Sequence, residues 1–229
     1  MATFEAQVEA LTGIAIASVT DPTQDQLTQF LTDGVLDVTE KWLIGHPQDR
    51  EAFMNETALQ VAQGADIGGA DIISVLRADG VTAGNFRPCR KIPPSHQSQV
   101  TDPDSLFFAS KYHPVYMVSG SNVKVFPAPS DNSDKDSYKV VYVNNTPKDS
   151  NGTSLTYSDS ALGYFPADKT YLVVLYASVK TLEAAAASKT VAQDIELQAS
   201  YSQLANTLKG EYMAAFQTQQ PQQGGQPRR

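Results

Sequence analysis

The stretch FPADKTYLVVLYASVKTLEAAAASKT, residues 165–190, constrains the fold more than any other. At helical spacing, Leu172, Leu175, Val179, Leu182 and Ala186 form one stripe, and Tyr171, Val173, Val174 and Tyr176 carry the apolar surface around much of the circumference. Alanine is the best helix former and small enough to let a second helix come close. A helix of this kind must be covered on several sides. A bilayer is excluded as the cover: the apolar run from Tyr171 to Val179 lies between Lys169 and Lys180, far short of the roughly 20 residues a span requires. Two covers remain, the chain's own bundle or sister subunits. The small number of other helices in the chain favours the second, which marks Leu172, Leu175, Tyr176, Val179, Leu182 and Ala186 as subunit-packing residues.

The remaining chain sorts into helices at both ends and strands between. Thr3 caps a short helix with Phe4, Val8 and Leu11 on one face, and Gly13 ends it. In VTDPTQDQL, Asp21 reads as an N-cap, Pro22 as the first helical residue and Gln24 as the partner in a capping box. Leu27, Leu31, Val35, Val38 and Trp42 then recur at helical spacing to about Leu43, with one or two further turns in DREAFMNE. ETALQVAQ and IISVLRAD read as strands around a GADIGGAD turn. NFRPCRKIPPS, with its three prolines, reads as a constrained loop. SQVTDPDSLFFAS is ambiguous, with a short helix as one reading. VYMVSGSNVKVFPA is a hairpin, DSYKVVYVN an edge strand, and NNTPKDSNGTS a polar loop. After Pro166 the chain is helical again. Thr190 and Gln193 suggest a second capping box, followed by a helix carrying Ile195, Leu197, Tyr201, Leu204, Leu208, Tyr212 and Phe216.

This order defines an α+β fold: a helical bundle from the N- and C-terminal helices with an inserted small antiparallel β domain. The expected divisions are 1–54 for the first helices, 55–164 for the β insertion, 165–217 for the last helices and 218–229 for a tail. The tail, rich in Gln, Gly and Pro, has too few apolar groups to offset ordering entropy and is expected to be disordered in isolation.

The formal charge of −8 leaves no basic face of the kind nucleic-acid readers use, and suits a surface that DNA passes without adhering. Cys89 is the only cysteine, which excludes internal disulfides and multi-cysteine metal sites. MATFEAQVEAL lacks a basic region followed by a long apolar core, so no signal peptide is expected. The Asn-x-Ser/Thr triplets at Asn55, Asn144 and Asn151 are then chance matches. His46, His96 and His113 stand far apart, and neither a nucleophile elbow nor a phosphate loop occurs. Asp131, Asp134 and Asp136 lack the turning glycine and distal glutamate of a calcium loop and read as a solvated loop. No catalytic site, cofactor or metal is expected. Arg87, Arg90 and Lys91 concentrate positive charge in an acidic chain and are candidates for contact with an acidic neighbour.

The segment F-P-x-x-x-x-x-L-V-x-x-Y-A at residues 165–177 resembles one common in virion proteins of tailed bacteriophages, where it opens a long helix after a β region. FEAQVEALTG, DPTQDQLTQFLTDGVLDV and CRKIPPSHQSQVTDPDSLFFASKYHPVYMV are similar to the same group, so the resemblance spans residues 3–217. The architecture resembles head-to-tail adaptors, or connectors. That resemblance implies a twelve-subunit homo-oligomeric ring in the virion neck, assembled in the host cytoplasm. The ring would join the portal protein to a tail or nozzle protein, with DNA passing through its lumen during packaging and ejection. By analogy of position, the tail, including Phe216, Pro221, Arg228 and Arg229, would dock on the portal. Two alternatives are another tail or baseplate component and a glycan- or host-binding module. The latter would need an exposed aromatic platform from Tyr112, Tyr116, Tyr138 and Tyr142.

Overall fold

The structure, a computed structural model, describes residues 2–130, 134–144, 146–191 and 194–217. The chain forms two compact units: residues 1–52 with 146–229, and residues 53–145. In chain order, α1 (Phe4–Thr12) and α2 (Gln24–Gly45) begin the first unit, and a 3₁₀ turn (Pro47–Phe53) follows. The second unit holds β1 (Met54–Glu56), β2 (Ala65–Asp66), β3 (Ile72–Ala78), β4 (Phe86–Pro88), β5 (Arg90–Lys91), α3 (Gln97–Thr101), β6 (Val115–Ser119), β7 (Asn122–Phe126) and β8 (Tyr138–Val143). The chain returns to the first unit through β9 (Lys148–Asp149), β10 (Leu162–Gly163), α4 (Thr170–Val191) and α5 (Ile195–Gln217). The fold is α+β, with terminal helices and an inserted β unit.

Local chemistry sets the helix ends. Thr3 Oγ1 accepts the Ala6 N–H at 3.2 Å, and Gly13 stops α1 in a left-handed conformation (φ 68°) that a side chain would disfavour. The start of α2 corrects the sequence reading: Thr23 is the N-cap and Gln26 closes the capping box, in place of Asp21 and Gln24. The reason lies just upstream, where the Thr20 hydroxyl accepts the Ala17 N–H at 2.7 Å and lies 2.9 Å from the Pro22 carbonyl oxygen. Residues 17–22 are thereby held in a turn, and Thr23 is the first residue free to cap. The second capping box, at Thr190 and Gln193, falls outside the described side chains.

In the helical unit α4 packs against α1, α2 and α5. Leu172, Leu175, Val179, Leu182 and Ala186 are all buried there, together with Val173, Val174 and Ala177. The chain's own bundle thus covers Leu172, Leu175, Leu182 and Ala186, which corrects the assignment of these four to subunit packing. Tyr176 is partly buried against the same core and Tyr171 is exposed. Gly34 lets α2 approach α4 closely: a Cβ there would lie 3.0 Å from Tyr176 Cδ1 and 3.3 Å from Val173 Cγ1. On α5, Leu208 and Tyr212 are buried, whereas Ile195 and Leu197 are exposed, so the apolar stripe engages only beyond the first turn.

Residues 146–164 belong with the helices, so the β insertion ends near 145 and not at 164. The Phe4 and Glu5 N–H groups, free at the first turn of α1, donate to the carbonyls of Asp159 (2.7 Å) and Tyr157 (3.0 Å), and Leu155 is buried in the helical core.

The β unit has two sheets, ordered β1-β8-β3-β4 and β2-β7-β6-β5, antiparallel except for the β5–β6 pair. Val75, Tyr138 and Val140 of the first meet Tyr116, Val123 and Val125 of the second in one core. Tyr138, fully buried, ties the sheets together: its hydroxyl accepts the Ala65 N–H at 3.0 Å and donates to the Val123 carbonyl at 3.3 Å. A second cluster of Ile92, Val100, Ala109, Val115, Met117 and Phe126 joins α3 and the loop after it to β6 and β7. Both faces of β6 are therefore buried at Val115–Met117.

Three strand expectations change. DSYKVVYVN is central, because β8 pairs with both β1 and β3. ETALQVAQ is no strand beyond Glu56, which ends β1. Gln60 bridges Tyr138 in isolation, and the side-chain carbonyl of Gln63 takes the Val125 N–H at 2.8 Å, a place a ladder carbonyl would otherwise occupy. NFRPCRKIPPS forms two short strands in different sheets: the Cys89 N–H donates to Val75 O (2.8 Å) and the Arg90 N–H to Pro114 O (3.0 Å), so the chain changes sheet at Cys89.

Candidate functional site

Two of the three basic residues singled out in the sequence meet at this crossing. Arg87 on β4 and Arg90 on β5 line a cavity of about 530 Å³ with Pro88, Tyr112, His113, Pro114 and Val115. The Arg87 guanidinium stands 5.3 Å from the Tyr112 ring centroid, and its buried Nε has no hydrogen-bond partner. Lys91 is exposed on β5 and lies beside a second depression with Ile92, Pro93, Pro94 and Val118. Of the four tyrosines proposed for an aromatic platform, Tyr112 is 58% exposed, Tyr116 and Tyr138 are buried, and Tyr142 is partly buried.

Next to the pocket in sequence is a feature that sequence reasoning passed over. Leu106, Phe107 and Phe108 are 102%, 59% and 46% exposed. The loop that carries them is fixed by its own hydrogen bonds. Asp102 Oδ1 accepts the Asp104 N–H (3.0 Å), the Ser105 carbonyl accepts the Phe108 N–H (3.1 Å), and Ser105 Oγ accepts the Phe107 N–H (3.1 Å). Ala109 anchors its end, donating to the Val100 carbonyl at 3.0 Å. Three large apolar side chains held outward by an ordered loop are the anatomy of a contact surface. The signal was present in DPDSLFFAS, where turn residues precede three bulky apolar residues with no polar alternation.

The helical unit carries a groove of about 230 Å³ between α2, α4 and α5, with Tyr176, Val179, Tyr212 and Met213 on its floor. Tyr212 donates to the Asp37 carboxylate and meets Tyr176 edge-on with centroids 5.9 Å apart. Burial and the adjacent Asp37 carboxylate push the Tyr212 phenol well above its ordinary range, so it stays a donor. Lys41, Lys180 and Lys209 rim the groove. Lys41 pairs with Asp37 (2.7 Å) and Lys180 with Glu183 (2.9 Å), while Lys209 has no ion-pair partner among the described residues.

His46 is buried and stacks on Trp42 at 4.4 Å, His96 is exposed at the start of α3, and His113 is exposed at the pocket. Burial pushes the Cys89 thiol up to about 12 despite the nearby Arg77 charge, so it remains protonated and unreactive. Asp136 is not solvated, contrary to the sequence reading. It pairs with buried Arg77, whose guanidinium also donates to the carbonyls of Pro127, Ala78 and Ser137. Burial raises the Asp136 carboxyl, but Arg77 and the Ser130 donors outweigh it and hold the group below its usual range. Asp131 lies outside the described residues. Phe216 ends α5 packed on Tyr212 (5.1 Å) and Trp42 (6.3 Å), so its ring belongs to the bundle and not to a docking tail. Pro221, Arg228 and Arg229 fall outside the described residues.

Among the described residues, no cluster of His, Cys, Asp and Glu could hold a metal ion, and no helix is long and apolar enough to cross a membrane. No known protein-family model matches the chain, and no curated protein matches it.

Proposed function

We propose that the chain is a structural, non-enzymatic subunit of a tailed-phage virion: a head-to-tail adaptor whose copies form a ring between portal and tail. The observation that carries this reading is the architecture, in which the helices before and after the insertion build one helical unit and the insertion carries both a fixed apolar loop and a cationic pocket. Charge division supports the same reading. The helical unit holds nine Lys and Arg against sixteen Asp and Glu, and the β unit eight against nine. A helical unit of net −7 repels the phosphate backbone, as a channel wall for passing DNA requires. The tail, residues 218–229, would dock on the portal.

The test is native mass by light scattering, with and without purified portal. Twelve chains of 24.7 kDa give a closed ring of about 296 kDa. That species, alone or with portal, is expected, and deleting residues 218–229 should abolish portal binding while leaving the fold intact. A monomer indifferent to portal overturns the reading. The pocket of Arg87, Arg90, Tyr112 and His113 favours a second reading, a module that binds acidic glycans. Retention on a sialylated surface that is lost in Arg90→Ala would move weight to it.

A further inference from the structure

We infer that the Leu106–Phe108 loop of one copy seats in the groove between α2, α4 and α5 of a second copy, making a head-to-tail contact between subunits. The inference rests on the reading of the chain as a homo-oligomer and names the surfaces that join it. Leu106 is fully exposed on the β unit, and the groove is lined by residues of the helical unit alone. Their sizes agree: an apolar cavity of about 150 Å³ accepts a benzene ring, and the groove offers about 230 Å³. One phenyl, from Phe107 or Phe108, fits over Val179 and Met213 and against the Tyr176 ring.

Their charges agree as well. The apolar tip is preceded by exposed Asp102 and Asp104; of the three lysines on the groove, Lys41 and Lys180 are paired with Asp37 and Glu183, and Lys209 has no ion-pair partner among the described residues. An apolar anchor preceded by two carboxylates meets a groove that offers one unpaired ammonium group, which favours one orientation of the contact. The loop is already ordered by the Asp102 and Ser105 hydrogen bonds, so little conformational entropy is lost on docking. Loop and groove are different surfaces, so the contact is heterologous: every copy donates one and receives one, and the series closes into a ring or continues as a filament.

The experiment is disulfide trapping between two full-length chains, each in a Cys89→Ser background. One carries Phe107→Cys and the other Met213→Cys; both positions are exposed, so the fold tolerates them. Mild oxidation of the mixture should give a cross-linked pair at least tenfold in excess over a control that replaces Met213→Cys with Ile195→Cys, exposed elsewhere on the helical unit. Asp104→Lys should weaken the cross-link, and Lys209→Glu in the second chain should restore it. Cross-linking no better than the control overturns the inference. If light scattering still shows a ring, the homo-oligomer reading survives and other surfaces join it. A specific cross-link in a species that never exceeds two copies supports the contact and overturns the ring.

Discussion

The approach of α2 to α4 makes a quantitative prediction from two glycines. Gly34 and Gly210 both lie inside helices, where alanine is favoured over glycine by about 0.8–1.0 kcal/mol because it restricts the unfolded chain. At Gly210 a new Cβ meets no heavy atom within 4 Å. Gly210→Ala should therefore stabilise the protein by about 1 kcal/mol. At Gly34 the same methyl would lie 3.0 Å from Tyr176 Cδ1 and 3.3 Å from Val173 Cγ1, against an ordinary carbon contact of about 3.5–4.0 Å. Val173 is fully buried and has nowhere to go. Overpacking of this kind costs about 1–3 kcal/mol, which exceeds the helix-propensity gain, so Gly34→Ala should destabilise by about 1 kcal/mol. The two identical substitutions should differ by about 2 kcal/mol, with opposite signs. Trp42 is the only tryptophan and sits in the helical unit, stacked on His46, so its fluorescence through a urea titration reports that unit alone. The midpoints should move in opposite directions at unchanged slope. If Gly34→Ala stabilised as much as Gly210→Ala, α2 and α4 would not be in close contact, and the account of how α4 is covered would fail.

The Arg77–Asp136 pair predicts a pH signature. Asp136→Asn should cost about 3 kcal/mol, the low end for breaking a buried ion pair, because three backbone carbonyls still hold the guanidinium. The Asp136 carboxyl is held below its unfolded value, so its contribution is complete above about pH 4 and lost as pH falls further. Melting temperatures of the two proteins should differ near pH 6 and begin to converge once the pH falls below about 4, and a constant gap throughout acid would exclude the ion pair as the cause. Cys89, with its thiol pushed up to about 12 by burial, should react with a disulfide reagent at pH 8 at least tenfold more slowly in the native protein than in urea. Equal rates would show the thiol to be exposed.

The helices at both ends were legible because their signals are local. Periodic leucines and valines, Thr3 before Phe4 and Gly13 after Thr12 act within one or two turns of the residues they govern. The hairpin at Val115–Phe126 was legible for the same reason, since its two strands share a short connection. The cationic residues of the pocket were legible as a cluster, but their meeting with Tyr112 was not, because it depends on the chain changing sheets at Cys89. Leu106–Phe108 could be seen as apolar, but only the fold shows that α3, β6 and β7 leave these side chains uncovered.

By itself, then, the sequence determined that residues 165–190 form a helix needing cover on most sides, that strands lie between terminal helices, and that the chain is acidic. Tertiary structure alone decided what supplies the cover: α1, α2 and α5, with Gly34 leaving no room for a side chain between α2 and α4. It also placed β8 in the middle of its sheet and returned residues 146–164 to the helical unit. It brought Arg77 to Asp136 across 59 positions of chain. Periodicity reports which face of an element is apolar, but says nothing of which partner buries it. That choice is made by contacts between residues far apart in sequence, whose loop-closure cost is met only when the whole core forms at once.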